Sequence, residues 1–166
     1  MTFKQDLSNS GFTLVEIIII FVLIGILTLW IFSTYSKSTD STTLALQADV
    51  LIAHMRYAQA RAMNSSTTWG IRYDSSPGQG NYWLYRDSTE NRVVLPGEST
   101  QRIELDDLNI SVSEGSFTLA FDGWGKPTCS GCTSAGNRTY SLTLSKPDSD
   151  SGTLTIVQNT GFIQWQ

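Results

Sequence analysis

One long apolar run dominates the N-terminal part of the chain. Between Phe12 and Phe32 the only polar side chains belong to two threonines and one glutamate. A helix rises about 1.5 Å per residue, so this run would extend over roughly 30 Å, the thickness of the hydrocarbon core of a bilayer. A secretory signal usually has a shorter apolar region and an Ala-x-Ala-like cleavage site, whereas this run continues into Ser33. The pattern predicts a membrane-spanning helix over residues 12–32.

A second helical pattern follows, with a different character. Residues 33–43 are nearly all Ser and Thr, which are poor helix formers and could act as a hinge. Beyond them, apolar residues recur at steps of three and four: Leu44, Ala48, Leu51, Met55, Ala58 and Ala62. This spacing is typical of an amphipathic helix with one face packed on a core. We predict one long helix from Phe12 to about Asn64, in which residues 33–64 form the spine of an outer domain.

From Ser65 the period changes to two. In the segments 69–73 and 117–121, bulky apolar residues alternate with small or polar ones, as in strands with one buried face. Further short runs of strand composition, separated by turn residues, lie at 82–86, 93–95, 102–105, 108–112, 140–144, 153–157 and 162–165. The last two should form a hairpin through Val157–Phe162. The predicted fold class is α+β, with the long helix packed on an antiparallel domain at 65–166, either a sandwich or a strongly curved sheet.

The strand predicted at 82–86 contains several aromatic residues. If Leu84 faces the core, Trp83 and Tyr85 face the opposite way, where they either pack beneath the helix or lie exposed for a partner. Packing is the favoured interpretation.

Composition narrows the possible functions. With 166 residues the chain suits one modest globular domain. One His and two Cys are too few for a zinc site or a Ser-His-Asp triad, so we expect neither an enzyme nor a cofactor. The single His54 falls on a polar flank, where a solvated or locally hydrogen-bonded ring is expected. The net charge is −4, so nucleic-acid binding is not expected unless these arginines converge in space: Arg86, Arg92, Arg102 and Arg138.

Glu16 is an unusual residue for a membrane helix. A carboxylate within such a helix costs on the order of 2.5–3.5 kcal/mol on insertion scales, before any allowance for depth. Its short side chain is poorly suited to reach the interface, as Lys and Arg do. We infer a buried ion pair with a cation supplied by another chain.

The hexapeptide GFTLVE at 11–16, directly before the apolar run, resembles the N-terminal signature of type IV pilins and type II secretion pseudopilins. The resemblance covers residues 1–32. It implies that residues 1–11 are a leader, which a prepilin peptidase removes by cutting after Gly11, and that the new amine of Phe12 is methylated. It also implies that Glu16 pairs with this amine of a neighbouring subunit during assembly.

The same resemblance implies a location and a set of partners. The protein would be a single-pass protein of the inner membrane with its C-terminal domain in the periplasm, and would later enter a pilus or pseudopilus. Its partners would be other pilins or pseudopilins, contacted through the N-terminal helix, together with the prepilin peptidase and an inner-membrane assembly platform.

Looser features bear on the subtype. The helix end at 56–63, the all-β C-terminal region and the segment FDGWGKP at 121–127 resemble FimT-like and type II secretion H-type subunits, and the C-type minor pilin of mannose-sensitive haemagglutinin pili. This implies a minor type IV pilin that is assembled into a pilus or primes it. The alternatives are an H-type pseudopilin and a DNA- or surface-binding minor pilin at the pilus tip. From composition alone, 121–127 predicts a turn in which Gly123 and Gly125 adopt positive φ and Pro127 stiffens the exit.

Two further pairs of residues are candidate sites. Cys129 and Cys132 lie in a Gly/Ser-rich segment and are too few for a zinc site, so we favour a disulfide that fixes the shape of a loop, with free thiols as the alternative. Asp148 and Asp150 have the acidic turn character of a calcium loop but lack the closing Glu of an EF-hand. Because some relatives in secretion pseudopili bind calcium, this pair is retained as a calcium candidate.

Overall fold

The computed structural model describes residues 13–76, 80–136, 138–147 and 151–166 of the chain. The side chains of residues 29–41 and 135 lie outside this description. The chain divides into two compact units, with the boundary between Ser38 and Thr39.

The helix α1 runs from Leu14 to Met63. Thr13 caps it, because the Glu16 amide donates to Thr13 Oγ1 at 3.3 Å and to the Thr13 carbonyl at 3.1 Å. Such a cap satisfies an amide that the first turn leaves without an intrahelical acceptor. At the other end, the Asn64 amide group donates to the Ala60 carbonyl at 2.7 Å. The predicted helix end near residue 64 is therefore confirmed, and the backbone of the Ser/Thr segment 33–43 is helical.

In the first unit, the described side chains of α1 are exposed from Leu14 to Thr28. Of the predicted span 12–32, Phe12 and the side chains of 29–32 lie outside the described residues. Within the described part of the chain, no helix has the length and apolarity needed to cross a membrane.

The second unit contains the strands of the described chain. They are β1 (Trp69–Asp74), β2 (Asn81–Arg86), β3 (Ser88–Val93), β4 (Ile103–Glu104), β5 (Ser111–Val112), β6 (Phe117–Phe121), β7 (Pro127–Ser130), β8 (Thr133–Ala135), β9 (Thr139–Ser145), β10 (Gly152–Val157) and β11 (Ile163–Trp165). A short 3-10 helix lies at Asp106–Leu108.

The strands form two antiparallel sheets. The first sheet has the order β3-β2-β1-β6-β7, with β4 also paired to β2. The second has the order β11-β10-β9-β5, with β8 also paired to β9. The chain therefore crosses to the second sheet for β5, returns to the first for β6 and β7, and crosses again between β7 and β8.

One hydrophobic core joins α1 to both sheets. The predicted stripe from Leu44 to Ala62 is buried at every position, and the alternating residues of β1 and β6 are buried with it. The register pairs Ile71 with Leu119 in the middle of the first sheet. The predicted α+β class and the packing of the helix on antiparallel strands are confirmed. The strands form two separate sheets that share one core, so the single curved sheet, one of the two alternatives from the sequence, is not found.

Some strand predictions are wrong. No strand covers 93–95 as expected. The strand here is β3, which ends at Val93 and consists mostly of polar residues. An edge strand has one neighbour and little burial, so it does not need an apolar pattern. The run 108–112 is divided, because Asn109 takes φ +55° and ends the 3-10 helix before β5 begins.

The hairpin predicted at the end of the chain is confirmed. Strands β10 and β11 pair in antiparallel register, with Ile156 opposite Ile163. The Val157 amide donates to the Phe162 carbonyl at 2.9 Å, and the Gly161 amide donates to the Val157 carbonyl at 2.8 Å. Gly161 adopts φ +66°, which a side chain would disfavour.

Candidate functional site

The structure reaches only some of the predicted site residues. The cleavage site at Gly11 and Phe12 lies outside the described residues, and so do Asp148 and Asp150. Within the described residues, no group of three or more His, Cys, Asp or Glu side chains is placed to hold a metal ion.

Glu16 lies in the first turn of α1 and is exposed. Its amide is held by the Thr13 cap, which fixes the residue at the third helical position. The partial positive charge at the start of a helix favours a carboxylate here, typically by 0.3–1 kcal/mol. The carboxylate is thus presented at the helix start beside the exposed apolar side chains of Leu14 and Val15.

The exposed apolar side chains of the first unit form a continuous run. Large apolar residues are exposed from Leu14, at 75%, to Leu27. Monomeric soluble proteins rarely expose contiguous apolar patches of more than a few hundred Å², and larger ones usually mark interfaces with protein or membrane. A helix that is apolar on all sides is likewise typical of a segment surrounded by other protein or by lipid. This part of α1 is therefore a candidate assembly surface.

The segment 121–127 forms a tight turn between β6 and β7. One carboxylate oxygen of Asp122 accepts from the amides of Trp124 and Lys126, each at 2.9 Å. Gly125 has positive φ as predicted, at +75°, whereas Gly123 is not among the positive-φ residues. Pro127 does not merely follow the turn but begins β7. Trp124 is 91% exposed at the tip.

The turn is attached to the helix by Gln59. Its side-chain amide nitrogen donates to the Gly125 carbonyl and the Thr160 carbonyl, both at 2.9 Å. A Cβ built on Gly125 would approach Met63 Sδ to 2.8 Å, so this position needs glycine for space as well as for conformation. The end of α1, the β6–β7 turn and the last hairpin are thereby joined.

The two cysteines are joined by a disulfide in the structure. Their Cα atoms are 5.8 Å apart. They do not occupy a simple loop, because Cys129 belongs to β7 and is paired with Leu119 of β6. Cys132 directly precedes β8, so the cross-link lies where the chain passes from one sheet to the other.

Two of the three aromatic residues of β2, Trp83 and Tyr85, are buried outside the hydrophobic core, whereas Tyr82 belongs to it. Trp83 is 5% exposed, and both it and Tyr85 are absent from the core that contains their neighbour Leu84. Tyr85 lies over Gly70 of β1, where an added Cβ would meet the Tyr85 hydroxyl at 2.6 Å. The favoured interpretation of packing is confirmed for burial, but the packing partners differ from those expected.

Three arginines surround Trp83. The guanidinium carbons of Arg92, Arg102 and Arg72 lie 4.4, 5.7 and 5.9 Å from its ring centroid. Arg92 and Arg102, two of the four arginines named from the sequence, therefore converge. Arg72, which is outside that set, joins them. Arg86 and Arg138 are not part of this group.

The register explains this convergence. Strand β1 places Arg72 directly opposite Trp83. On the other side of β2, β4 pairs Ile103 with Tyr82, which brings Arg102 level with Trp83, and β3 pairs Arg92 with Tyr85. A cleft of about 420 Å³ lies here, lined by Arg92, Thr100, Gln101, Arg102 and Glu104.

His54 is buried rather than solvated, at 6% exposure. Its Nδ1 lies 2.9 Å from the Tyr82 hydroxyl. Burial lowers the pKa of His54, against the smaller raising effects of the Glu98 carboxylate and the Pro96 carbonyl. A neutral ring suits this position, since one nitrogen can then accept while the other donates. The locally hydrogen-bonded alternative is the one found.

Comparison with known proteins gives the family. The model of the family described as type II transport protein GspH matches residues 47–161, which is well over half of the chain. No curated protein and no solved structure matches significantly. The matched region contains most of the buried part of α1 and nearly all of both sheets. This is a family of structural pseudopilins rather than of enzymes, in agreement with the expectation drawn from composition. The chain belongs to the GspH family of type II transport proteins.

Proposed function

We propose that this protein is a minor filament subunit that is made as a membrane-anchored precursor. A prepilin peptidase removes residues 1–11 and methylates Phe12. Residues 12–32 hold the subunit in the inner membrane, with residues 65–166 in the periplasm. Assembly then transfers this helix from lipid to contact with other subunits, on the assembly platform.

The observation that carries the proposal is the difference between the domain that matches the family, which is packed around a core, and the first part of α1, whose apolar side chains are exposed. The matched domain is complete in its own core, whereas the side chains of α1 from Leu14 to Leu27 are exposed in the single chain. An apolar helix of this kind gains stability by being surrounded by lipid or by similar helices. Glu16, at the start of that surface, supplies a charge for pairing with the terminal amine of a neighbour.

The family match favours a pseudopilus of type II secretion as the filament. A minor type IV pilin is the second candidate, supported by the resemblance of residues 121–127 to minor pilins. A DNA-binding subunit at a pilus tip is not proposed, because the net charge is −4 and only Arg92 and Arg102 of the expected arginines meet.

The precursor proposal is tested by the intact mass of the protein purified from membranes. We expect a chain that begins at Phe12 and carries one added methyl group. Cells without prepilin peptidase provide the control and should retain residues 1–11. Retention of these residues in cells with an active peptidase would contradict the proposal.

The identity of the filament is tested by cross-linking from the assembly surface. A photo-reactive side chain placed at Ile18, which is exposed in the described chain, should capture neighbouring subunits in cells. We expect the cross-linked partners, identified by mass spectrometry, to be secretion pseudopilins. Capture of pilus subunits instead would establish the second candidate, and a matched probe at the buried Leu51 should capture neither.

A further inference from the structure

We propose that the cleft beside Trp83 binds the carboxylates of an acidic polypeptide segment on another protein. Its arginines form the recognition surface, and Trp83 is the platform that holds them. The proposal concerns a second surface of the subunit, apart from the assembly helix, and holds for either filament.

The platform is fixed in place. The indole nitrogen of Trp83 donates to the Thr89 carbonyl at 2.9 Å, which orients the ring. Arg72 donates to the Thr118 hydroxyl at 3.3 Å and is held against the ring from the β1 side. A guanidinium group over an aromatic face keeps its N–H donors free at its edge, because the attraction comes from the ring's electrons.

The segment that carries Arg102 is also held in place. The Thr100 hydroxyl donates to the Arg102 carbonyl at 2.6 Å, and the Gln101 side chain donates to the Arg92 carbonyl at 3.5 Å. These contacts connect the loop before β4 to β3. The two arginines of the cleft are therefore presented together without a ligand, so less ordering is required when one binds.

The charge of this cluster is not neutralised from within. Among the described residues, Arg92 and Arg102 form no ion pair, and Glu104 lines the same cleft without pairing with either. Like charges held close together repel each other, so a ligand carrying negative charge relieves this repulsion as it binds. The fork of a guanidinium group matches a carboxylate in a two-point contact.

The other groups of the cleft favour a peptide over a nucleic acid. The carboxylate of Glu104 accepts hydrogen bonds and cannot donate them. It therefore suits a ligand that also donates hydrogen bonds, as peptide amides do. A phosphate backbone offers only acceptors, so it has no donor for Glu104. An acidic peptide places its carboxylates at the arginines and its amides toward Glu104.

The test measures binding of a fluorescein-labelled hexaglutamate peptide to the full-length protein in a non-ionic detergent, by fluorescence anisotropy at low salt. We expect saturable binding that weakens as salt is added. The variants Arg92→Gln and Arg102→Gln should each weaken binding roughly fivefold or more. Arg102→Lys, which keeps the charge but loses the planar fork, should be intermediate.

The matched control is Arg61→Gln. Arg61 also lies over a tryptophan ring, at 5.0 Å from the centroid of Trp69, and its replacement changes the net charge by the same amount. Binding by this variant should be unchanged. Circular dichroism melting of every variant verifies that the fold is intact.

Three results would overturn the proposal. The first is an absence of binding to hexaglutamate at low salt. The second is an equal loss of affinity in Arg61→Gln, which would indicate a general effect of charge. The third is tighter binding of a twelve-residue oligothymidylate through the same arginines, which would indicate a nucleic-acid site.

Discussion

Two stretches of α1 differ in apolar pattern and in surroundings. From Leu14 to Leu27 the large apolar side chains are exposed, whereas the stripe from Leu44 to Ala62 is buried against both sheets. The second stretch alternates apolar and polar faces because only one side meets the core. The first is apolar all round, which is what the proposed burial in lipid or among other subunits requires. In the proposed function, one helix is completed partly by its own domain and partly by assembly with other subunits.

The largest expected effect concerns the exposed stretch of α1 from Leu14 to Leu27. We predict that Glu16→Ala is processed and inserted into the membrane but enters filaments at a level reduced at least about tenfold, because the neighbour's amine loses its partner at low dielectric. The amount in the sheared filament fraction measures this. Asp49 is an exposed acid in the part of α1 that carries the buried stripe, and the control variant Asp49→Ala should assemble normally. Normal incorporation of Glu16→Ala would remove the proposed ion pair.

The buried stripe from Leu44 to Ala62 should instead determine the free energy of unfolding. Leu51 is 1% exposed, and we predict that Leu51→Ala lowers the free energy of unfolding by about 2–5 kcal/mol through lost burial and the cavity left behind. Chemical denaturation of the protein in detergent provides the measurement. Leu46, at 59% exposure on the same helix, is the control, and Leu46→Ala should change stability by less than about 0.5 kcal/mol. Equal effects of the two substitutions would contradict the packing of the stripe.

The disulfide should have a smaller effect, confined to the passage between the sheets. Reduction of the Cys129–Cys132 bond removes a constraint on a short loop, so we predict a loss of at most about 2 kcal/mol in the free energy of unfolding. Denaturation with and without reductant measures it. The double variant Cys129→Ser/Cys132→Ser should match the reduced protein and be insensitive to reductant. A loss as large as that of Leu51→Ala would show that the bond supports the whole core.

The pH dependence of His54 is expected to be the smallest effect. Its pKa is lowered in the folded protein, chiefly by burial, so the unfolded chain takes up the proton first as pH falls. Stability is therefore fully present above about pH 6.5 and is lost as pH decreases toward the folded pKa. Melting temperatures between pH 7.5 and pH 5 should fall more for the wild type than for His54→Gln, whose side chain offers a polar partner for Tyr82 and does not titrate. Parallel curves would exclude this contribution.

Much of the fold follows from periodicity in the sequence. The stripe from Leu44 to Ala62 and the alternation in 69–73 and 117–121 predict which side chains are buried, because burial on one face imposes the period of the helix or strand. Where burial is slight, that signal is absent. Strand β3 is polar and forms by backbone pairing at the sheet edge, and periodicity could not reveal it.

The site around Trp83 could not be predicted in the same way. Its arginines lie on β1, on β3 and just before β4, and their meeting depends on the register of β2 with each neighbour. A shift of one residue in any pairing would direct a side chain to the opposite face. His54 illustrates the same limit, since its place on a polar flank of the helix does not show that the loop at Pro96 covers it.

The buried stripe of α1 also has a mechanical consequence. Its side chains, among them Leu44, Leu51 and Met55, interlock with the sheets at successive levels along the helix. A force applied along the helix axis would therefore load these contacts in shear and all at once, instead of peeling them apart one after another. Close-packed interiors are hardly compressible and transmit strain. Within its own unit, the domain should travel with this part of its helix as a single rigid load.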